Sequence, residues 1–183
     1  LKLLESKCDT NQGYYLKPRE NKVIYDDNNP GAIKKIKAKV LNVREKDLKK
    51  AYKDISINIY YDNATYPDIS VSLGDFFGVF SGNIEYSTTA LGSLEDNTLY
   101  SNWYMPYSTC KIELVNNSSD EYITYMSFDN ERISVDKAEE LNRFVCRYKS
   151  LEDKDMNSDR FPDSLGLDVK GNGRLVGFAY HSN

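Results

Sequence analysis

The chain has few of the residues on which many catalytic and disulfide-rich proteins depend. Its one histidine, His181, lies near the end of the sequence, which argues against Ser-His-Asp or Cys-His catalysis. The three cysteines, Cys8, Cys110 and Cys146, have no CxxC spacing and an odd count, which argues against a disulfide framework. Cys110 and Cys146 lie in alternating apolar stretches, and this predicts buried free thiols.

Long apolar runs are also missing, so no segment is predicted to cross a membrane. The 183 residues, with 28% charged and 40% hydrophobic side chains and a mean hydropathy of −0.63, fit one soluble globular domain over residues 1–183. The sequence begins with Leu1 instead of Met, so the question whether a secretion signal has been removed stays open. The compartment is therefore undetermined, with a slight lean towards an extracytoplasmic location.

Positive charge is concentrated in the first part of the chain. Residues 1–53 have 14 Lys or Arg against 7 Asp or Glu, although the whole chain has a net charge of −4. Lys35, Lys37 and Lys39 alternate with apolar residues, which places them on one face of a strand. Natural sheets use lysine to keep outer faces and edges soluble, and no recognised nucleic-acid motif accompanies these lysines. The pattern therefore predicts a solvated face and no nucleic-acid partner.

Alternation of apolar and polar residues dominates the rest of the chain. In the segment 55–61 every second residue is apolar, which is typical of a half-buried strand. A charged segment with one apolar stripe predicts one short helix near residues 44–53, and a helical turn is possible at 136–141. We therefore predict an all-β fold, an antiparallel jelly roll or β-sandwich. Its eight or so strands are expected near residues 22–25, 32–41, 55–61, 69–73, 110–114, 121–128 and 143–149, with a final hairpin of 165–170 and 174–180.

A stretch rich in aromatic residues follows the strand expected at 69–73 and continues to residue 107. We expect most of this stretch to be a long loop, and loops of that length are usually functional or disordered. Aromatic residues at this density either fill a core or form a surface that stacks on sugar rings, and both interpretations stay open. The residues are Phe76, Phe77, Phe80, Tyr86, Tyr100, Trp103, Tyr104 and Tyr107.

Carboxylates offer few candidates for chemistry. Asp75 lies between two glycines and next to apolar residues, so it is either a desolvated functional carboxylate or a cap of loop amides. Residues 153–159 begin like a calcium loop, but Ser158 and Ser164 replace the glycine and glutamate of that pattern. We predict no metal site and no cofactor, and calcium at 153–159 stays open.

Five motifs together resemble a known family. The chain has Asn29-Pro30-Gly31-Ala32-Ile33, Tyr61-Asp62-Asn63, Ser72-Leu73-Gly74-Asp75-Phe76-Phe77-Gly78, Met105-Pro106-Tyr107 and Gly171-Asn172-Gly173-Arg174-Leu175-Val176-Gly177. In that order they resemble the GPGxI, WDGE, PLGDFFG, MPF and GxGxYVG motifs of glycoside hydrolase family 172, the former domain of unknown function 2961. The resemblance covers nearly the whole chain.

The resemblance implies a fold and an activity. Family members consist of two tandem jelly rolls, assemble as trimers or hexamers, and act on fructofuranosides and arabinofuranosides with retention. Their catalytic glutamates lie in WGEGDE and GTEDYF motifs of the second jelly roll, and neither motif occurs here. The chain thus resembles the N-terminal half, without a catalytic residue of its own. The implied substrate-binding residues are Asp75, Phe76, Phe77, Trp103 and Tyr107.

Three functions stay open. The chain is the first jelly roll of a furanoside-acting glycoside hydrolase, a non-catalytic assembly subunit of a capsid-like shell, or a carbohydrate-binding module. Whether the chain alone is an enzyme is undecided. The expected partners are a furanose-containing oligosaccharide and either further copies of the chain, as a trimer or hexamer, or a second jelly roll. No membrane partner is expected.

Overall fold

The computed structural model describes residues 10–79, 87–148 and 171–178. Ten strands and three short α-helices lie in these ranges. The strands are β1 (Thr10–Leu16), β2 (Asn21–Asp27), β3 (Gly31–Val40), β4 (Ile55–Tyr61), β5 (Ile69–Ser72), β6 (Leu91–Ser93), β7 (Leu99–Ser101), β8 (Met105–Tyr107), β9 (Cys110–Asn116) and β10 (Tyr122–Arg132). The helices are α1 (Leu48–Asp54), preceded by a 3-10 turn at Glu45–Asp47, α2 (Leu73–Phe77) and α3 (Val135–Glu140).

The strands form two antiparallel sheets. Sheet A has the order β1-β10-β3-β7-β6, with β8 also paired to β3, and sheet B has the order β2-β9-β4-β5. The short strands β6, β7 and β8 together occupy one strand position, so the chain has eight strand positions in sequence order. Numbered in that order, the neighbours in sheet A are 1-8-3-6 and those in sheet B are 2-7-4-5. This order is that of a jelly roll, in which the chain wraps repeatedly from one sheet to the other. The predicted all-β fold is therefore confirmed.

Period-two alternation explains why the sheets pack face to face. In β4, Ile55, Ile57 and Ile59 are fully buried, while the residues between them are half-buried. The same alternation in β9 and β10 points one side chain of every pair into the space between the sheets. Burying these side chains is the main stabilising contribution to the fold, at about 25 cal/mol per Å² of apolar surface.

The predicted helix near residues 44–53 is confirmed as the 3-10 turn and α1. Leu48, Ala51 and Tyr52 form its buried stripe, as their spacing indicates. The helical turn expected at 136–141 is present as α3, which begins after Ser134. The sequence does not predict helix α2, because the alternation of apolar and polar residues in β5 continues through Leu73. Leu73 instead begins a helical turn that ends at Gly78, whose φ of 80° is left-handed.

Two expected strands differ from the structure. Residues 142–148 belong to no strand in the described residues, so the strand predicted at 143–149 is wrong over this range. Residues 174–178 are also outside any strand, which contradicts that part of the expected hairpin. The segment 165–170, its partner, lies outside the described residues. Within the parts of the chain that the structure covers, no helix is long and apolar enough to cross a membrane.

Candidate functional site around Trp103

Trp103 lies between β7 and β8, two short strands that pair one after the other with the same side of β3. Both β7 and β8 pair with β3, and residues 102–104 between them leave the ladder. Ser101 pairs with Ile36 and Met105 pairs with Ile33, so this strand advances four residues while β3 advances three. One residue in excess is a β-bulge, a device that redirects side chains near functional sites. The bulge places Trp103 and Tyr104 outside the regular ladder.

The covering segment, residues 142–148, passes over Trp103. The Phe144 ring stacks on the indole, with centroids 5.4 Å apart and planes inclined by 22°. The backbone of Gly177 also approaches the indole, because a Cβ added at this glycine would lie 3.6 Å from the Cη2 atom. Trp103 is consequently half-buried and packs against the core, although the loop interruption alone would leave it open.

Two arginines hold the covering segment in place. The Arg143 Nε atom donates to Asp62 Oδ2 at 2.6 Å, and its Nη1 atom donates to the Ala138 carbonyl at 2.7 Å. Arg147 donates to the Asp68 carbonyl at the other end of the segment. The Asp62 side chain also accepts from the Ser108 amide at 2.8 Å. These contacts join the covering segment to the turns that follow β4 and β8.

The electrostatics of Asp62 favour this attachment. Burial by itself would raise the pKa of Asp62, but the Arg143 guanidinium and the amides of Ser108 and Thr109 outweigh it and hold the pKa below its usual value. Asp62 and Asn63 both have left-handed φ angles, of 55° and 62°, in a tight turn that Asp and Asn tolerate better than most residues. The carboxylate is therefore charged where the Arg143 side chain arrives.

Asp75 acts as part of a helix cap. The Ser72 Oγ atom accepts from the Asp75 amide at 3.0 Å and donates to Asp75 Oδ2 at 2.7 Å, at the start of α2. Ser72 is thus the N-cap of α2, and the Asp75 carboxylate holds its hydroxyl in place. Asp75 also influences Cys146 of the covering segment: burial, and then the charge of Asp75, raises the pKa of that thiol. Trp103 contacts the covering segment through Phe144, but no hydrogen bond or ring contact joins Asp75 to Trp103 within the described residues.

The other three residues proposed from the sequence lie inside the fold. Phe76 and Phe77 are buried and meet edge to face, with centroids 5.0 Å apart. Tyr107 is also fully buried. All three pack in the core in this structure, which was the other interpretation of the aromatic stretch. Phe80 and Tyr86 lie outside the described residues, while Tyr100 is half-buried and Tyr104 is exposed.

Tyr107 belongs to a buried polar network that the sequence did not suggest. Its hydroxyl lies 2.6 Å from the Tyr25 hydroxyl and donates to Asp27 Oδ2 at 2.8 Å. The Asn130 amide donates to the Tyr25 hydroxyl at 2.6 Å, and Arg132 forms an ion pair with Asp27 at 2.5 Å. The network joins β2, β8 and β10 across the two sheets.

The network keeps Asp27 charged inside the protein. Burial would raise the pKa of this carboxyl, but hydrogen bonds from Arg132, Tyr107 and the Asn29 amide hold it below its usual value. Burial raises the pKa of Tyr25 to about 12, so both tyrosines stay neutral donors. The sequence signal was the Asp-Asp-Asn-Asn-Pro-Gly run, which indicated only a turn. Tyr25 directly precedes this run, but Tyr107 is 80 residues away from Asp27 in the sequence.

No group of three or more His, Cys, Asp or Glu residues that could hold a metal occurs in ranges 10–79, 87–148 and 171–178. The calcium-like run at 153–159 lies outside these ranges. The Cys110 thiol is buried, and burial raises its pKa, so it behaves as a packed apolar group.

The strand order and the covered tryptophan define the class of this molecule, a jelly-roll β-sandwich domain with an aromatic side chain at an interrupted edge. A family model described as GH172 domain-like matches residues 6–128, about two thirds of the chain. The chain belongs to this family of domains related to glycoside hydrolase family 172. The matched range contains Asp75 and Trp103 but ends before the covering segment. A comparison with curated proteins finds no match.

Proposed function

We propose that this domain is the N-terminal jelly-roll part of a furanoside-acting glycoside hydrolase, and that Trp103 helps to form its sugar-binding surface. The observation that carries the proposal is the placement of the only tryptophan of the chain in a β-bulge at a sheet edge, within the range matched by the family model. Indole faces stack on sugar rings, and bulges are common beside binding sites.

The proposed catalytic carboxylates lie elsewhere, on a second jelly roll of the same polypeptide or of a partner. Asp75 and Asp62 are engaged in a cap and an ion pair, so each supports the site by holding local structure. Phe76, Phe77 and Tyr107 belong to the core cluster against which Trp103 packs. In this arrangement the chain shapes one wall of the pocket and the other half performs hydrolysis.

The single tryptophan makes the proposal directly testable by fluorescence. The chain is titrated with fructo-oligosaccharides and arabino-oligosaccharides, and the emission of Trp103 is followed. We expect a saturable change with a furanose ligand and none with malto-oligosaccharides of equal length. A Trp103→Phe variant, measured by calorimetry, should bind more weakly while remaining folded.

Absence of furanose binding by both the native chain and a Phe144→Ala variant, in which the indole is uncovered, would overturn the sugar-binding proposal. Binding without hydrolysis, even in the complete assembly from the native source, would favour a carbohydrate-binding module. The intact mass of the native protein, with whatever co-purifies, tests for the second half.

An assembly role is the second candidate, and a specific feature favours it. Apolar side chains stand exposed in the segments near the end of the described chain, and such residues commonly pack against another domain or subunit. Sedimentation of the native chain beside a Leu175→Glu variant tests this role, because an apolar contact would be weakened by the charge. The exposed residues are Val145, Tyr148, Leu175, Val176 and Phe178.

A further inference from the structure

The outer face of sheet A has a column of lysines. In β3, the alternation that buries Ile36 and Ala38 turns Lys35, Lys37 and Lys39 away from the core. Side chains two positions apart on a strand are separated by about 7 Å. Each lysine is only half-buried, so its aliphatic stem covers the sheet while its ammonium group reaches solvent.

Tyrosines stand on both sides of this column. Tyr125 on β10 is the register partner of Lys39, and Tyr100 on β7 is the register partner of Lys37. The Tyr100 hydroxyl donates to the Thr88 carbonyl at 2.7 Å, which fixes that ring towards β6. The lysines on the central strand β3 are therefore flanked by one tyrosine on each neighbouring strand, β10 and β7.

A groove runs beside the column, with a volume of about 400 Å³. The loop between β6 and β7 forms one wall, and Asp96 in that loop accepts from Lys39 Nζ at 3.2 Å. Asp96 also accepts from the amide and hydroxyl of Thr98 at 3.1 and 2.9 Å, so the wall is held in one conformation. The groove is lined by Lys37, Lys39, Leu41, Leu94, Asp96, Thr98 and Tyr125.

Two carboxylates neutralise only part of this charge. Lys39 pairs with Asp96, and Lys34 pairs with Asp129 at 3.3 Å. Lys35 and Lys37 form no ion pair within the described residues, although Asp129, which pairs with Lys34, is the register partner of Lys35 on β10. The centre of the face is thus positive, although the whole chain has a net charge of −4. The groove adjoins this positive centre at Lys37.

We propose that this face binds an acidic polysaccharide, a glycan with carboxylate or sulfate groups along its chain. Lys35 and Lys37 would meet successive anionic groups, and the Tyr125 ring would pack against a sugar ring in the groove. Nucleic acid fits less well, because the face has no arginine to pair with phosphate groups in bidentate geometry. Lys35 lies in the stretch of β3 opposite residues 102–104, but the site uses neither Trp103 nor the covering segment, so it goes beyond the proposed function and does not require it.

The experiment compares binding of the full chain to polygalacturonate and to its fully methyl-esterified, neutral form, at 50 and 300 mM NaCl. We expect binding to the acidic polymer only, weaker at the higher salt concentration. A Lys35→Gln/Lys37→Gln variant should lose about fivefold or more in affinity. A Lys46→Gln/Lys53→Gln variant, which removes the same charge from exposed positions around α1, should change by less than about twofold.

Equal binding of the neutral and acidic polymers, equal losses in the two double variants, or no binding would overturn the proposal. Equally tight binding to phosphatidylserine vesicles or to single-stranded DNA would also overturn the assignment to a glycan. Thermal unfolding of both double variants checks that each is folded. Because Trp103 fluorescence with neutral furanose ligands reports on the other site, failure of one proposal is distinguishable from failure of the other.

Discussion

Phe144 stacks on Trp103 with ring centroids 5.4 Å apart, and this contact joins the covering segment to the edge of the jelly roll. The two residues belong to different parts of the chain, one within the range matched by the family model and one beyond it. The accessibility of the indole therefore depends on a segment that sheet pairing does not hold.

Removal of the Phe144 ring should expose Trp103. In Phe144→Ala, the tryptophan emission should shift to longer wavelength, and the free energy of unfolding should fall by about 1–2 kcal/mol, because a half-buried aromatic pair is lost. Phe178→Ala is the matched control, since Phe178 is 83% exposed. Unchanged emission in Phe144→Ala would mean that the ring does not cover the indole in solution.

The N-cap of α2 predicts unequal roles for Ser72 and Asp75. Ser72→Ala should lower the free energy of unfolding by about 1 kcal/mol, because the Asp75 amide loses its acceptor. Asp75→Asn should cost less, since an amide oxygen can still accept from Ser72. Urea denaturation measures both, with the exposed Ser70→Ala as control. A loss of stability in Ser72→Ala no larger than that in Ser70→Ala would contradict the role of Ser72 as a cap.

A separate measurement tests whether Asp75 contacts a ligand. Loss of sugar binding by a folded Asp75→Asn protein would make Asp75 a ligand-binding group.

Gly31 should tolerate no side chain. A Cβ at this position would lie 2.7 Å from the Tyr107 hydroxyl and 3.0 Å from the Glu131 carbonyl. Gly31→Ala must displace Tyr107 from Asp27, and we expect a loss of about 2–3 kcal/mol. Gly13→Ala is the control in β1, where an added Cβ meets nothing within 4 Å. Equal thermal stability of the two variants would show that the Tyr107 contact relaxes at little cost.

The buried Asp27 should make stability depend on acid pH. Its pKa is lowered in the folded protein, so its contribution is present above the unfolded value of about 3.9 and is lost as pH falls through the folded value. Asp27→Asn should cost about 2 kcal/mol at pH 7, because Arg132 and Tyr107 lose a charged acceptor. The difference from the native chain should shrink below about pH 4.

Urea unfolding at pH 7, 4 and 3 measures this dependence. Asp26→Asn is the control, because Asp26 is the exposed neighbour of Asp27 on the same strand. A difference between Asp27→Asn and the native chain that stays constant from pH 7 to pH 3 would show that the charge of Asp27 is not the stabilising feature.

Local patterns determined most of the fold. Alternation with period two is a property of neighbouring residues, and it was sufficient to predict β3, β4, β9 and β10 and the burial of Cys110. The apolar stripe of α1 is equally local. From these elements the antiparallel sandwich followed, because several half-buried strands with little helix can hide their apolar faces only against another sheet. The family motifs pointed to the same domain.

Alternation of apolar and polar residues gave a wrong prediction where the structure depends on backbone pairing between strands instead of on burial of side chains. The covering segment has Phe144 and Cys146 at strand spacing, and both are partly buried. It is nevertheless no strand in this structure, because Arg143 and Arg147 attach it to turns instead of to a free sheet edge. A sequence pattern reports which side chains face the core, but not whether a neighbouring backbone is available.

The site itself was decided by the tertiary structure. The sequence identified Trp103 and Asp75 as candidates, but the stack with Phe144 and the buried network of Tyr107 with Asp27 join residues that are 41 and 80 positions apart. Such contacts depend on how the chain wraps between the two sheets, which no local pattern encodes. The sequence thus determined the strands and their buried faces, and only their assembly decided which aromatic residues pack in the core and which lies at the edge.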